Sequence, residues 1–260
     1  MVKYLKVWWL FAINSFQTQL MGRGSLAIFL VGKILRFGIF TFFIVILLKK
    51  INALAGYSLD QTIFFFLTFN LIDILAQLFF REVYRFRSAV VSGTFDFYLI
   101  KPINALFRSL AVGPDLLDFI TLIPLMGAII YLLNRVQIAE FGGVLIYILL
   151  VAAGFIIALS FHILVLSLAI LTTEIDHAIM MYRDFTSMGR MPIDIYSEPI
   201  RGILTFAIPV GIMMSFPVKS LLGLLSPELI AYAVIFSLVL FYVSLKVWNW
   251  SLKQYSSASR

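Results

Sequence analysis

Three charged side chains stand inside long apolar runs of this chain: Lys33, Arg36 and Asp73. A charge at the centre of a bilayer costs about 2.5–3.5 kcal/mol on insertion scales, so such residues serve ion pairs, relays or substrate paths. Lys33 and Arg36 share one helical face at i, i+3, and Asn70, Asp73 and Gln77 share another at i, i+3, i+7. Antiparallel neighbouring helices would set these two stripes side by side, roughly 10 Å below the nearer surface. Three uses suit that placement: a structural ion pair, Lys33 reaching to the headgroups, or the lining of a polar translocation path. Asp118 lies close enough to the end of its own run to reach water.

Other chemistry is thin. There are two histidines: His162, near Ser160 and Ser167 in an apolar stretch, and His177 beside Asp176. Ser160 and His162 point to different helical faces at i, i+2, so they do not make a nucleophile and its base. No H-E-x-x-H pattern, carboxylate–histidine metal cluster or G-x-x-x-x-G-K-[ST] phosphate loop occurs. With no cysteine at all, thiolate catalysis, iron–sulfur clusters and thiolate zinc sites are excluded. The expectation is no catalytic residue, no metal site and no cofactor in this chain.

The elements that must position these residues follow from composition. Of the 260 residues 62% are hydrophobic and 13% charged, against about 45–50% and about 25% in soluble domains. Mean hydropathy is +1.03. The class is all-α polytopic membrane protein, a single transmembrane domain over 1–260. Six stretches approach the roughly 20 residues that cross a bilayer: 26–48, 61–80, 116–133, 142–172, 202–216 and 229–245. None alternates as a β-barrel strand would. The net charge of +7 follows the membrane rule and does not indicate nucleic acid. Alternate connections carry 14 of the 20 Lys and Arg on the side shared by both termini and 4 on the other, which places both termini in the cytoplasm.

Residues 3–20 mix Lys3 and Lys6 with Trp8, Trp9 and Phe16, a pattern for a helix lying in the interface. The first long apolar run exceeds the core of about 7–15 residues in a signal peptide, so no cleavable leader is expected. Trp248, Trp250 and Tyr255 among Lys246 and Lys253 anchor the last span on the same face. The fourth stretch, 142–172, is too long for the hydrocarbon and must tilt, bend or run on. In the fifth, Pro209 and the Pro217 that follows leave carbonyls unpartnered, so a break is expected near its outer end. Residues 218–226 are too few to cross and suit a re-entrant or surface helix on the outer face.

The richest connection is 81–115, REVYRFRSAVVSGTFDFYLIKPINALFRSLAVGPD. It holds five basic residues and an apolar–aromatic run after Ser92-Gly93. Phe95, Tyr98, Leu99 and Pro102 must be covered by the interface or by another protein. The run GTFDFYLIKPIN at 93–104 resembles the coupling segment of ABC-2-type transporter permeases, more narrowly the branch of short six-span transport permeases. A second run, MGRMPIDIYSEPIRGILTFAIPVG at 188–211 followed by FPVKSLLG at 216–223, is similar to the same branch. It departs from that pattern at Met191, where a bulky aromatic usually precedes the proline.

The resemblance implies the permease subunit of an ATP-driven exporter in the cell (plasma or inner) membrane. It implies a multi-pass chain moving a hydrophobic or amphipathic substrate outward. Two permease chains, identical or paralogous, would pair, each docking on a separate ABC ATPase that holds the ATP and Mg. Gly93, Phe95, Asp96, Tyr98, Leu99, Lys101, Pro102 and Asn104 would form the coupling helix on the ATPase, and a re-entrant outer element would precede the last span. Two other readings stay open from the residues: an ion-coupled transporter using Lys33, Arg36 and Asp73, and a membrane-embedded lipid-processing enzyme using Asp73, His162 and the basic connection.

Overall fold

A computed structural model describes residues 2–136, 141–172 and 176–256. In chain order the helices are α1 (Val2–Met21), α2 (Arg23–Ile51), α3 (Leu59–Phe80), α4 (Phe86–Val91), α5 (Asp96–Ile100), α6 (Ala105–Ala111), α7 (Leu116–Leu133), α8 (Phe141–Thr172), α9 (Asp176–Ser187), α10 (Ile200–Gly202), α11 (Phe216–Leu221) and α12 (Pro227–Gln254). Among the described residues there is no strand beyond one isolated bridge, Leu54 to Tyr57.

Helix starts follow local chemistry. Ser58 and Gln61 form a reciprocal capping box at α3. Asn104, Asp115 and Ser226 cap α6, α7 and α12 by accepting a backbone N–H. Pro227 follows Ser226 in the first turn of α12, where its missing N–H leaves nothing unsatisfied.

The frame is the pair α8 and α12. Ser237, Ser244 and Ser251, spaced by seven, are all buried on α12, and each hydroxyl bonds the carbonyl three residues back. Small side chains at this repeat let two helices approach closely without leaving a polar group bare in an apolar setting. The two helices run parallel: their C-terminal ends meet in one crevice lined by Val90, Ile170, Leu171 and Tyr255. α3 packs against α8, with Ile72 close to Gly154.

Both described chain ends lie on that same face. Lys3 Nζ donates to Pro102 O at 3.1 Å, Ser15 Oγ donates to Pro114 O at 2.8 Å, and Trp248 packs on Phe86 and Phe95. The opposite face carries the 52–58 connection, residues 134–136 and the starts of α8 and α12.

α8 ends on the first face and α12 starts on the second, so the chain between them must cross. The sequence reading assigned that crossing to 202–216, but the contacts assign it to 176–195. Tyr182 packs on Phe161 and His162. Arg190 lies over Phe40 and Phe69, and Ile193 N donates to Ser215 Oγ. Asp194 then accepts from Tyr57 Oη at the far face, at 3.0 Å. This stretch is too polar for a hydropathy scan to find.

The residues expected to form the fifth span instead make a bent pair: Ile200–Ala207 and Gly211–Leu221 meet at 82°. Among the described residues, five other helices are long and apolar enough to span. The pair dips from the far face until Met213 lies against Gly154, then returns until Leu221 lies beside Gly143. Pro209 stands at the break between the limbs, and both flanking stretches are π-helical. Gly211 lets the limbs close, since a Cβ there would sit 2.8 Å from Thr205 Oγ1. Pro217 lies inside the second limb, where the π-helical Gly211–Ser215 passes into α11, and its missing N–H falls at that change of helix type without ending the limb.

Candidate functional site: the 81–115 connection and the intramembrane cavity

The connection opens where α3 gives way to a 3-10 turn at Arg81–Arg85. α4 ends at Val91, and two residues on Gly93, with a φ of +73°, takes the left-handed conformation that suits glycine. The chain then turns into α5. Phe95 is fully buried, edge-on to Phe86, Trp248 and Tyr255 with centroids 5.0, 6.3 and 5.1 Å away. Tyr98 is buried too, its ring under the Arg108 guanidinium at 4.3 Å.

These two residues, expected on a docking surface, instead face inward: Phe95 anchors the start of α5 to the end of α12, and Tyr98 packs on Phe95 and Arg108 of α6. The physical reason is five-residue helix geometry: when one side of α5 packs on the bundle, the opposite side must point away. That outward side is Phe97, Leu99 and Ile100, at 59, 43 and 76% exposure. Phe97 and Ile100 were not singled out from sequence. Alternation of buried 95 and 98 with exposed 97 and 100 was the available signal, legible only once α12 was known to cover one side.

The rest of the run is held by polar contacts. Asp96 Oδ1 accepts from Tyr255 Oη at 2.8 Å. Burial and the adjacent Asp96 carboxylate push the Tyr255 hydroxyl up to about 12, so it stays a donor at neutral pH. Pro102 offers its carbonyl to Lys3. Asn104 turns the chain into α6 by accepting from Phe107 N at 3.1 Å. Lys101 is exposed.

The intramembrane polar residues converge differently from the expected pairing. Lys33 pairs with Asp118 of α7, which also accepts from Arg81, while Arg81 pairs with Asp115. Asp73 accepts from Gln77 Nε2 at 2.9 Å, and Asn70 donates to Phe66 O at 2.7 Å. Lys33, Arg36, Asn70, Asp73 and Gln77 nevertheless line one cavity of about 1020 Å³ between α2, α3 and α7. Arg183 and Arg190, counted from sequence as loop charges, line it as well.

Sequence could not place them there, because their segment does not read as a span. His162 lies outside this cavity, its Nδ1 2.7 Å from Ala158 O and its ring against Phe80 and Tyr182. It fastens α9 to α8. Among the described residues no three His, Asp or Glu side chains converge as metal ligands.

At the far face Asp194 joins Tyr57 and Lys219, the latter at 2.7 Å. Burial, and next the Asp194 charge, push the Tyr57 hydroxyl well above its ordinary value.

Compared with known proteins, residues 34–259 match a family model described as ABC-2 family transporter protein. No curated protein and no solved structure matches the chain. The match spans every candidate spanning helix, the 81–115 connection and the bent pair, missing only α1 and the first turns of α2. An all-helical, multi-pass chain matched over this length belongs to the ABC-2 family: it is an ABC-2-type permease, a membrane transport protein.

Proposed function

We propose that this permease is the membrane subunit of an ATP-driven exporter and that a separate ATPase docks on the outward side of α5. The observation that carries the reading is the division of the 93–104 run. Phe95 and Tyr98 fix it to the bundle, and Phe97, Leu99 and Ile100 are left uncovered beside exposed Lys101. An apolar patch on a rigidly anchored helix is suited to transmit motion: a push on it reaches α12 through Phe95 and α1 through Pro102.

On this reading the face with both described chain ends is cytoplasmic and the chain resides in the cell membrane. A second permease, identical or related, completes the path. ATP and Mg bind in the ATPase, and a hydrophobic or amphipathic substrate moves outward. The basic residues on that face, among them Lys3, Lys6, Arg81, Arg85, Arg87 and Lys253, support the orientation.

The test is co-purification with the cognate ATPase from membranes. Replacing Phe97, Leu99 and Ile100 together by Ala is expected to abolish recovery of the ATPase while the permease still inserts and elutes as one species. Undiminished recovery would overturn the docking assignment.

A further inference from the structure

The cavity between α2, α3 and α7 is unbalanced in charge. Asp118 is already matched by Lys33 and Arg81. That leaves three guanidiniums, Arg36, Arg183 and Arg190, around one carboxylate, Asp73. Among the described residues none of the three makes an ion pair. Arg190 rests over the rings of Phe40 and Phe69, and Arg183 lies over Tyr84. Arg36 and Arg183 are both near enough to Arg190 to repel it, and Asp73 is the one carboxylate near enough to offset them. A surplus of cations at this depth calls for an anion.

The remaining walls say what kind of anion. Phe37, Phe40, Phe66 and Phe69 line the same space, so a small hydrated anion would leave most of the wall bare. α2, the outer wall, is uncovered along Ile34, Leu35, Ile39 and Phe43, at 60, 56, 66 and 49% exposure. The cavity extends from Gln77 and Asp118, in the last turn of α3 and the first turn of α7 on the chain-end face, to Arg36 and Arg190, about halfway along α2. Its polar floor thus begins at the level of the headgroups of one leaflet.

We propose that this cavity binds the phosphate headgroup of an anionic phospholipid taken from the leaflet on the chain-end face, with the acyl chains lying along α2. Arg36 and Arg190 hold the phosphate oxygens through charge-assisted N–H bonds, the geometry in which planar guanidiniums excel. Arg183 completes the charge, and Asp73, held by Gln77, keeps the empty cavity from being wholly cationic. The inference concerns binding by this chain alone and does not depend on ATPase docking.

The test uses the full chain, purified and delipidated in neutral detergent, with native mass spectrometry reading bound lipid. It is titrated with phosphatidylglycerol, with phosphatidylcholine of the same acyl chains, and with inorganic phosphate. Phosphatidylglycerol is expected to bind about tenfold or more tighter than phosphatidylcholine, whose phosphate is the same but whose ammonium adds one more cation beside Arg36, Arg183 and Arg190. Inorganic phosphate is expected not to displace it.

Arg36→Gln and Arg190→Gln are each expected to weaken phosphatidylglycerol about tenfold, while Arg135→Gln, at the opposite face over Tyr131, changes nothing. Equal binding of the two lipids, displacement by inorganic phosphate, or unaltered binding in both cavity variants would overturn the proposal. The wild-type lipid comparison needs no variant to fold.

Discussion

Tyr255 and Asp96, 159 positions apart, share a hydrogen bond of 2.8 Å that pins the end of the last helix to the start of α5. The tyrosine is held protonated, its hydroxyl pushed up to about 12 by burial and by the neighbouring carboxylate. Its folded value lies above the ordinary value of about 10, so the contribution is complete below pH 10 and is lost as pH rises towards 12. Trp248 touches Phe95, which touches Tyr255, and therefore reports the contact. Its fluorescence is expected to change between pH 10 and 12 in the wild type, with that component missing in Tyr255→Phe.

Phe95 is the keystone of the same cluster. Phe95→Ala removes a fully buried ring from contact with four aromatic neighbours, Phe86, Tyr98, Trp248 and Tyr255. A loss of about 3–5 kcal/mol is expected, read as a lower melting temperature in detergent. Leu99→Ala alone, at an exposed position, is expected to leave melting unchanged.

Asp118 gathers two cations, Lys33 and Arg81, at a position only 1% exposed. Asp118→Asn keeps the shape and strands Lys33, while Arg81 keeps its pair with Asp115. Because Lys33 and Arg81 are 33 and 40% exposed, the cost falls below the range for a fully buried pair, to about 2 kcal/mol. Thermal melting of the variant checks this, and a second change of Lys33→Met is expected to restore part of the loss.

Gly154 is where the bent pair meets α8. A Cβ there would stand 2.8 Å from Met213 O, a backbone atom that cannot turn aside. Gly154→Ala is expected to cost about 1–3 kcal/mol and to raise hydrogen exchange across 211–221 before any other segment.

Asp194 and Lys219 form a partly buried pair, their side chains 20 and 16% exposed, with Tyr57 as third member. A double-mutant cycle with Asp194→Asn and Lys219→Met is expected to give a coupling of about 1 kcal/mol. An additive result would show that the bent pair is not latched to the 52–58 connection through these groups.

Much of this architecture was legible in the residues. Continuous apolar runs revealed α2, α3, α7, α8 and α12, because a lipid-facing helix needs only length and grease. The 93–104 motif drew attention to the connection that carries the exposed side of α5. What the sequence concealed were features defined by a neighbour. Phe95 and Phe97 are alike on paper, and only the position of α12 decides which is buried. Lys33 found Asp118 in preference to Asp73, because α7 approaches that level of α2. Segment 176–195 escaped notice since Arg183, Asp184 and Arg190 mark it as loop to any hydropathy measure, yet a cavity and the aromatic rings around it accommodate those charges inside the bundle.

The serine repeat of α12 has a mechanical consequence. It lets α8 and α12 pack against each other along their length, whereas α2 keeps most of its surface uncovered. α1 joins α2 through Gly22 and is stitched to Pro102 and Pro114 by Lys3, Ser15 and Gln19. With an ATPase docked on α5 as proposed, displacing that segment would lever α1 against the foot of α2, the least buried wall of the cavity.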